Sequence, residues 1–249
     1  MPKSVIVTGG SKGIGWAIVE TLARSGYFVV SGSRTTRENI PSDLVSKILQ
    51  IEIDVKNELD HQTLVDLAND GDLELVAYIN NAGFSEWRPI ENVDEEFIGE
   101  IIRTNLIGYF WGSKAASIGL KDGGSIINIS SLAAKRGTSN NSAYVATKFG
   151  VAGLTQSLCK ELGYRGIRVN AVCPLLVETE GLIAALNETH SPAKGDSLNF
   201  LKSFSQSQSP LLRLPTAQEV ANLVRFLISD DASGISGQSI NVDCGVLPN

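Results

Sequence analysis

Residues 5–15, VIVTGGSKGIG, contain the strongest structural signal in the chain. A short β-branched run ends at Thr8 and leads directly into a glycine-rich loop, after which apolar residues recur at helical spacing as far as Leu22. Glycines at such a place allow the backbone at a helix N-terminus to approach a pyrophosphate. The spacing is G-x-x-x-G-x-G, a relative of the general dinucleotide fingerprint. A tight turn between strand and helix, with no ligand, is the alternative.

Six further β-branched runs follow the first. They cover residues 27–31, 48–53, 75–80, 125–130, 167–172 and 239–242. Long segments with helical periodicity separate them, and Thr216 with Glu219 forms a capping-box pattern before the last helix. Strands joined by helices predict right-handed crossovers and a parallel sheet covered on both faces. We therefore expect an α/β fold: a single Rossmann-type doubly wound domain over residues 1–249, with a seven-stranded parallel sheet and helices on both faces.

The segment at about 180–209 differs from the rest of the chain because it is polar, rich in serine and poor in periodicity. A long irregular segment inside a compact domain is usually functional or disordered. We interpret it as an irregular substrate lid.

The chain has 249 residues, of which 43% are hydrophobic and 19% charged, and a formal net charge of −6. This composition predicts a folded protein with no general attraction for nucleic acid or an anionic membrane. No apolar run approaches the roughly 18 residues of a membrane span, and the N-terminal apolar run is too short for a secretory signal. We expect a cytoplasmic protein that binds neither nucleic acid nor membrane.

Cysteine and histidine usage limits the possible chemistry. Cys159, Cys173 and Cys244 are far apart in sequence, so we expect reduced thiols, with Cys173 a buried apolar filler. Two histidines are too few for most metal sites or a Ser-His-Asp triad, and we expect no metal. We expect His61 to face solvent near a helix start, and His190 to lie in the lid, where contact with substrate stays open.

The end of the second strand indicates which dinucleotide would bind. NAD-binding proteins generally place an acidic residue there for the ribose hydroxyls, but no acid occurs between Glu20 and Glu38. The strand instead ends with Ser33 and Arg34, and a guanidinium can hold a 2′-phosphate through charge-assisted hydrogen bonds. Lys12 in the glycine loop can reach the same phosphate. This pattern favours NADP(H), with ordinary surface cations as the alternative.

Four polar residues form a candidate catalytic group: Asn105, Ser131, Tyr144 and Lys148. Tyr144 and Lys148 are four apart in a predicted helix, so both project from one face. A phenol is a poor base at neutral pH, and we expect the ammonium to stabilise its phenolate and lower its pKa. Tyr144 could then exchange a proton with a substrate oxygen that Ser131 holds in position.

With these motifs in place, the whole chain resembles the classical short-chain dehydrogenases/reductases. Beyond the glycine loop and the Ser-Tyr-Lys spacing, the matching segments are Asp54-Val55, Asn80-Asn81-Ala82-Gly83 and the run from Pro174 to Thr179. The resemblance implies that Asn105 holds a relay water and that Lys148 also binds the nicotinamide ribose. It implies a cofactor site made of Gly9, Ser11, Lys12, Gly13, Ile14, Gly15, Ser33, Arg34, Asp54, Val55, Asn81, Ala82, Gly83, Tyr144, Lys148, Pro174 and Thr179.

Two positions depart from the family pattern. Leu175 stands where the segment after the sixth strand usually has glycine, so the backbone path there is expected to change. Cys244 replaces the first glycine of the commoner Asp-Gly-Gly. The three residues between Tyr144 and Lys148 also differ from the six found in enoyl reductases of this superfamily.

These observations favour an NADPH-dependent oxidoreductase acting on a small-molecule ketone or secondary alcohol, with 3-oxoacyl thioesters as one candidate substrate. The alternatives are an NAD(P)-dependent dehydrogenase oxidising sugar, steroid or secondary-metabolite alcohols, and a non-catalytic nucleotide-sensing scaffold. Lys135 and Arg136 are either a solvated loop or a site for an anionic substrate or acidic carrier. Trp87 either lines the cleft or packs beneath the lid. The family also implies a homo-oligomer, a tetramer or dimer, paired through helices at about 106–120 and 144–162.

Overall fold

Seven parallel strands form a single sheet in the computed structural model, which describes residues 1–248. They are β1 (Lys3–Thr8), β2 (Phe28–Ser33), β3 (Ile48–Glu52), β4 (Glu74–Asn80), β5 (Ser125–Ile129), β6 (Arg168–Pro174) and β7 (Ser239–Val242). Their order is β3-β2-β1-β4-β5-β6-β7. The order reverses between β1 and β4, where a doubly wound sheet opens a crevice at its carboxyl edge. The predicted fold class is confirmed, and the predicted strands differ from the observed ones only at their ends.

Within residues 1–248, eight α-helices accompany the sheet. They are α1 (Gly13–Arg24), α2 (Glu58–Ala68), α3 (Glu95–Ile102), α4 (Gly108–Gly119), α5 (Ser142–Leu162), α6 (Glu180–Leu186), α7 (Ser197–Gln208) and α8 (Ala217–Ile228). A π-helical turn, Arg103–Ile107, joins α3 to α4.

Alternation along β1 shows how the sheet is covered on both faces. Val5 and Val7 pack into a core with apolar residues of α1 and α8, whereas Ile6 packs into a second core with residues of α2, α4 and α5. All three valine and isoleucine side chains are fully buried. Successive strand residues point to opposite faces, so a continuous apolar run is what a strand buried on both sides requires.

The predicted capping box at the start of α8 is present. Thr216 Oγ1 accepts a hydrogen bond from the Glu219 backbone N–H at 3.2 Å, and the Glu219 carboxylate accepts one from the Thr216 N–H at 2.8 Å. The Arg213 guanidinium also binds that carboxylate, and these hydrogen bonds lower the pKa of Glu219 to about 2.

The irregular structure predicted at 180–209 is wrong, because the segment contains α6 and α7; its role as a substrate lid stays a prediction. Each helix begins at a side-chain cap: Thr179 accepts from the Leu182 N–H at 3.2 Å, and Asp196 from the Asn199 N–H at 3.3 Å. Only a few of its apolar residues, among them Leu186 and Leu201, are buried, and these form a cluster with Trp87. So few buried positions leave little periodicity to detect in a polar, serine-rich sequence.

His61 is also misplaced by the sequence prediction, since its side chain is fully buried in α2. Nδ1 lies 2.7 Å from the Tyr78 hydroxyl and Nε2 lies 2.9 Å from the Val55 carbonyl oxygen. Burial lowers the pKa of His61, which favours the neutral ring. Both partners lie outside α2, so the residues next to His61 in the sequence do not indicate that its side chain is buried.

Residues 1–248 contain neither a candidate membrane-spanning helix nor a cluster of metal-ligand side chains. None of the helices there combines the length and apolarity needed to cross a bilayer. The same residues contain no group of three or more His, Cys, Asp or Glu side chains placed to hold a metal ion.

The two departures from the family pattern have different structural consequences. Leu175 continues the backbone after β6, donates its N–H to Val242 O at 3.0 Å, and does not have a positive φ. Cys244 instead adopts φ +54°, a left-handed conformation that glycine takes without steric cost. Strain is therefore expected at Cys244 and not at Leu175.

Replacing Cys244 with glycine should stabilise the fold by about 0.5–1 kcal/mol. The relief of left-handed strain, about 1–2 kcal/mol, exceeds the added entropy of a glycine in the unfolded chain, about 0.4–1 kcal/mol. Urea unfolding of wild type, Cys244→Gly and Cys244→Ala measures the effect. The alanine variant keeps the Cβ and serves as the matched control; a glycine variant less stable than the alanine variant contradicts the prediction.

Candidate active site

A cavity of about 1320 Å³ opens at the carboxyl edge of the sheet. Every residue predicted above to bind the cofactor lines this cavity, and so does Ser131. Asn105 is the exception, since it is fully buried and does not line the cavity. Residues from loops that are far apart in sequence thus meet because parallel strands all end at the same edge.

The glycine loop is tied to the end of β4. Asn81 Nδ2 donates to the carbonyl oxygens of Thr8 and Gly9 at 2.9 and 3.1 Å. In return, Thr8 Oγ1 accepts from the backbone N–H groups of Asn81 and Ala82 at 3.0 and 3.2 Å. A Cβ added at Gly15 would overlap the Gly9 carbonyl oxygen, so the loop can close tightly only with glycine there. Thr8, which the sequence prediction did not include, is therefore a structural part of the site.

The corner of the cavity at the end of β2 suits a phosphate. Arg34 follows directly after β2 and lines the cavity there, and Lys12 lines the same cavity. The Ser33 hydroxyl is buried there, and no side chain or backbone group of residues 1–248 forms a hydrogen bond with it. A buried hydroxyl without a partner is costly, and a phosphate oxygen would satisfy it. The donor set in this corner therefore fits the 2′-phosphate of NADP(H).

Tyr144 is partly exposed on the wall of the cavity, in the first turn of α5. Burial among protein atoms raises the pKa of Tyr144 to about 12, with a hydrogen bond to Ser131 acting in the opposite direction. Ser131 follows β5 in an extended conformation and caps a short 3₁₀ turn, accepting the Ala133 N–H at 3.1 Å. The phenol is consequently protonated at neutral pH.

Lys148 lies one helical turn after Tyr144 and is 4% exposed. Its Nζ donates to the Ile129 carbonyl oxygen at 3.0 Å and to the Tyr109 hydroxyl at 3.4 Å. Burial lowers the pKa of Lys148 to about 8. The expected net lowering of the Tyr144 pKa is not found, because desolvation of the phenolate outweighs any stabilisation by the Lys148 ammonium, whose Nζ lies 5.5 Å from the Tyr144 ring centroid.

Asn105 holds the backbone of Phe84, a residue of the cavity wall, through two hydrogen bonds. It belongs to the π-helical turn between α3 and α4, and its amide group pairs with the Phe84 backbone: Oδ1 accepts from the N–H at 3.0 Å, and Nδ2 donates to the carbonyl at 2.7 Å. A Cβ added at Gly83 would lie 3.0 Å from Asn105 Oδ1. Single π-helical turns occur frequently at functional sites.

Several residues with open interpretations are placed by the structure. Trp87 both lines the cavity and packs beneath α6 and α7, so the two alternatives hold together. Arg136 and His190 line the cavity, whereas Lys135 Nζ donates to the Ser239 carbonyl oxygen at 2.8 Å. Cys173 is fully buried, and its burial raises the thiol pKa.

Comparison with known proteins identifies the family. A family model described as Enoyl-(Acyl carrier protein) reductase matches residues 9–247. The chain is also 34% identical to the L-2,3-butanediol dehydrogenase of Corynebacterium glutamicum, with all of both chains covered. The chain belongs to the short-chain dehydrogenase/reductase family. It is a member with the Tyr-Lys spacing of the classical type, four residues apart on α5, and the name of the family model does not by itself specify its reaction.

Two further relatives of this short-chain dehydrogenase/reductase show a similar extent of agreement. A 3-oxoacyl-acyl-carrier-protein reductase of Staphylococcus aureus is 34% identical, with 99% of this chain and 98% of the relative covered. The ligand-free structure of the Thermoplasma acidophilum aldohexose dehydrogenase is 35% identical with a TM-score of 0.87, covering 98% of this chain and 94% of that one. These comparisons establish the family to which the chain belongs, but the relatives are named for different substrates.

Replacing Lys148 with methionine should stabilise the fold at neutral pH. A lysine with a pKa near 8 when folded and 10.5 when unfolded destabilises the protein fully below pH 8. This cost, on the order of 1–3 kcal/mol, disappears as the pH rises from 8 to 10.5.

Chemical denaturation of both proteins at pH 7 and pH 10 measures the difference. Titrations at other sites are common to the two proteins and cancel. The prediction is contradicted if Lys148→Met is no more stable than the wild type at pH 7, or if its gain in stability grows with pH.

Proposed function

We propose that this short-chain dehydrogenase/reductase is an NADP(H)-dependent oxidoreductase that interconverts a ketone and a secondary alcohol. The observation that carries the proposal is Tyr144: a protonated phenol on the cavity wall, hydrogen-bonded to Ser131 and one turn from a buried lysine. A carbonyl oxygen that accepts a hydride needs a proton donor within reach, and Tyr144 is placed to be that donor. A nucleotide-sensing scaffold has no need of this arrangement.

The nicotinamide, when bound, supplies or accepts the hydride. Ser131 and Tyr144 hold the substrate oxygen through hydrogen bonds, which fixes the reacting carbon. In reduction, the Tyr144 hydroxyl proton passes to that oxygen. The charged Lys148 stabilises the phenolate that remains, because the ammonium is then close to a full negative charge in a poorly hydrated site. In oxidation the Tyr144 phenolate accepts the hydroxyl proton of the alcohol. Because oxidation of the alcohol releases one proton overall, it is favoured at higher pH.

The cofactor is assigned from the ends of the first two strands. The N-terminus of α1, reached through Ser11, Lys12 and Gly13, offers backbone N–H groups for the pyrophosphate. Arg34 would hold the 2′-phosphate, with Lys12 and the unpartnered hydroxyl of Ser33 completing its contacts. Asp54 and Val55 would bind the adenine, and Pro174 and Thr179 the nicotinamide carboxamide.

Apolar side chains form much of the cavity wall on the proposed substrate side. Apolar contacts come from Trp87, Leu132, Leu175, Leu176, Leu182 and Phe200. This wall suits a ketone with a hydrocarbon portion, such as a 3-oxoacyl thioester, and one of the relatives is named for that substrate class.

A second candidate substrate class is a sugar or a vicinal diol, oxidised at one hydroxyl. The observation that favours it is the polar rim of the same cavity, formed by Ser139, Asn140, Asn141 and His190, together with the names of the butanediol and aldohexose dehydrogenases. Both candidates use the same catalytic residues.

We also propose a homo-oligomer of the cytoplasm, either a dimer or a tetramer. Phe110 and Ile118 on α4 and Phe149 on α5 are 46%, 67% and 48% exposed, and large apolar side chains on two neighbouring helices favour an interface. The three cysteines are unpaired, as expected in a reducing compartment.

Purified enzyme should oxidise NADPH, and NADH more weakly, with at least one member of a ketone panel. The panel contains a β-ketoacyl thioester, a β-keto ester, a keto-sugar and a decalone, and diols are tested in the opposite direction. Tyr144→Phe removes the transferable proton and should lower kcat by about 100-fold or more while NADPH still binds. Full activity in Tyr144→Phe would refute the assigned role of the phenol.

Arg34→Asp should weaken NADPH binding by about 10–100-fold, because it removes a charge-assisted hydrogen bond and adds a repelling carboxylate. NADH binding should change far less. Fluorescence titration with both cofactors measures the two affinities.

Arg37→Asp is the matched control for Arg34→Asp. Arg37 lies three residues further on and stacks over Trp16 at 4.3 Å, outside the cavity lining. Equal losses of NADPH affinity in the two variants would contradict a specific role for Arg34 and favour a general charge effect.

A further inference from the structure

Tyr109, which the sequence motifs do not include, lies beside the catalytic lysine. It is the second residue of α4 and is 2% exposed. Its hydroxyl lies 2.7 Å from the Ile129 carbonyl oxygen and 3.4 Å from Lys148 Nζ. Lys148 Nζ is itself 3.0 Å from the same carbonyl oxygen, so the three groups form a closed triangle.

The triangle fixes the direction of each hydrogen bond. A backbone carbonyl can only accept, so the Tyr109 O–H donates to Ile129, and a lone pair of the phenol oxygen is left to accept from the ammonium. Lys148 therefore directs two of its three N–H groups at neutral acceptors. The third N–H remains for the catalytic site.

No carboxylate of residues 1–248 forms an ion pair with Lys148. The hydrogen bonds that partly offset the burial of its ammonium come from neutral groups alone. The phenol oxygen of Tyr109 supplies one of the two hydrogen bonds, and its ring lies 5.1 Å from Nζ. A hydrogen bond to the charged form of an amine favours that form. Loss of the Tyr109 hydroxyl would thus make Lys148 easier to deprotonate.

Tyr109 cannot act as a proton relay, because its hydroxyl contacts a carbonyl oxygen that has no proton to exchange. Burial also raises the pKa of Tyr109, which keeps the phenol neutral. Its effect on the reaction must therefore pass through Lys148.

We propose that Tyr109 is a positioning residue, which orients the Lys148 ammonium and keeps it charged at the pH of the reaction. The catalytic consequence rests on the proposed function, because it requires Lys148 to stabilise the Tyr144 phenolate. The effect on Lys148 itself does not depend on any substrate.

Three titratable groups face Lys148 from the elements around it. Tyr144 belongs to the same helix, Tyr109 to α4, and Cys173 to β6. Burial raises the pKa of both the Tyr144 phenol and the Cys173 thiol, so both are neutral near pH 7. A change in Lys148 titration after removal of the Tyr109 hydroxyl is then attributable to that hydroxyl.

The test is Tyr109→Phe, which keeps the ring and removes only the hydroxyl. Protein labelled with ¹³C-lysine is titrated by NMR, and Lys148→Met assigns the Lys148 signal. We expect the pKa of Lys148 to fall by about half a unit to one unit in Tyr109→Phe. The alkaline limb of kcat/KM for ketone reduction should move to lower pH by the same amount.

Tyr78→Phe is the matched control. Tyr78 is also a fully buried tyrosine whose hydroxyl has a buried partner, His61, at 2.7 Å, and it does not contact Lys148. Both variants should lose some thermal stability, but only Tyr109→Phe should change the Lys148 titration. This comparison separates a positioning role from a general loss of packing.

The outcomes distinguish this inference from the proposed function. An unchanged Lys148 pKa in Tyr109→Phe, or an equal shift in Tyr78→Phe, overturns the role of Tyr109. A shifted pKa in a protein that turns over no ketone or alcohol supports the triangle and counts against the proposed reaction. A shifted pKa with an unmoved alkaline limb overturns the catalytic part of the inference.

Discussion

A lysine ammonium is buried at the carboxyl edge of the sheet, and only neutral groups bind it. This burial costs stability, lowers the pKa of Lys148 to about 8, and explains why the surrounding acceptors are so closely arranged. The Ile129 carbonyl comes from the last residue of β5, and the Tyr109 hydroxyl from the start of α4. The proposed catalytic site therefore depends on the exact packing of one strand and two helices.

The cofactor side of the cavity depends on a second long-range contact. The reversal of strand order between β1 and β4 opens the crevice at the carboxyl edge, and Asn81 ties the ends of these two strands together by donating to the Thr8 and Gly9 carbonyl oxygens. The glycine loop cannot then move away from the end of β4. This constraint keeps the loop at the start of α1 in the wall of the cavity that Tyr144 also lines, as the proposed hydride transfer between cofactor and substrate would require.

Local patterns predicted the elements whose stability is local or periodic. The β-branched runs correspond to strands because a doubly covered sheet needs apolar residues at successive positions, as at Val5 and Ile6. The capping box at Thr216 and Glu219 needs only residues three apart. Helices α6 and α7 were missed because they bury few residues, and their packing partner is Trp87, about a hundred residues away.

The sequence alone determined the fold class, the family resemblance and the predicted cofactor-binding residues that line the cavity, because parallel strands bring the motifs at their carboxyl ends to one edge. Only the tertiary structure decided the environment of each group. His61 is buried rather than exposed, the Tyr144 pKa is raised rather than lowered, and the Tyr109 hydroxyl accepts a hydrogen bond from Lys148. Desolvation and contacts between distant elements control these properties, and neither is encoded in a local pattern of residues.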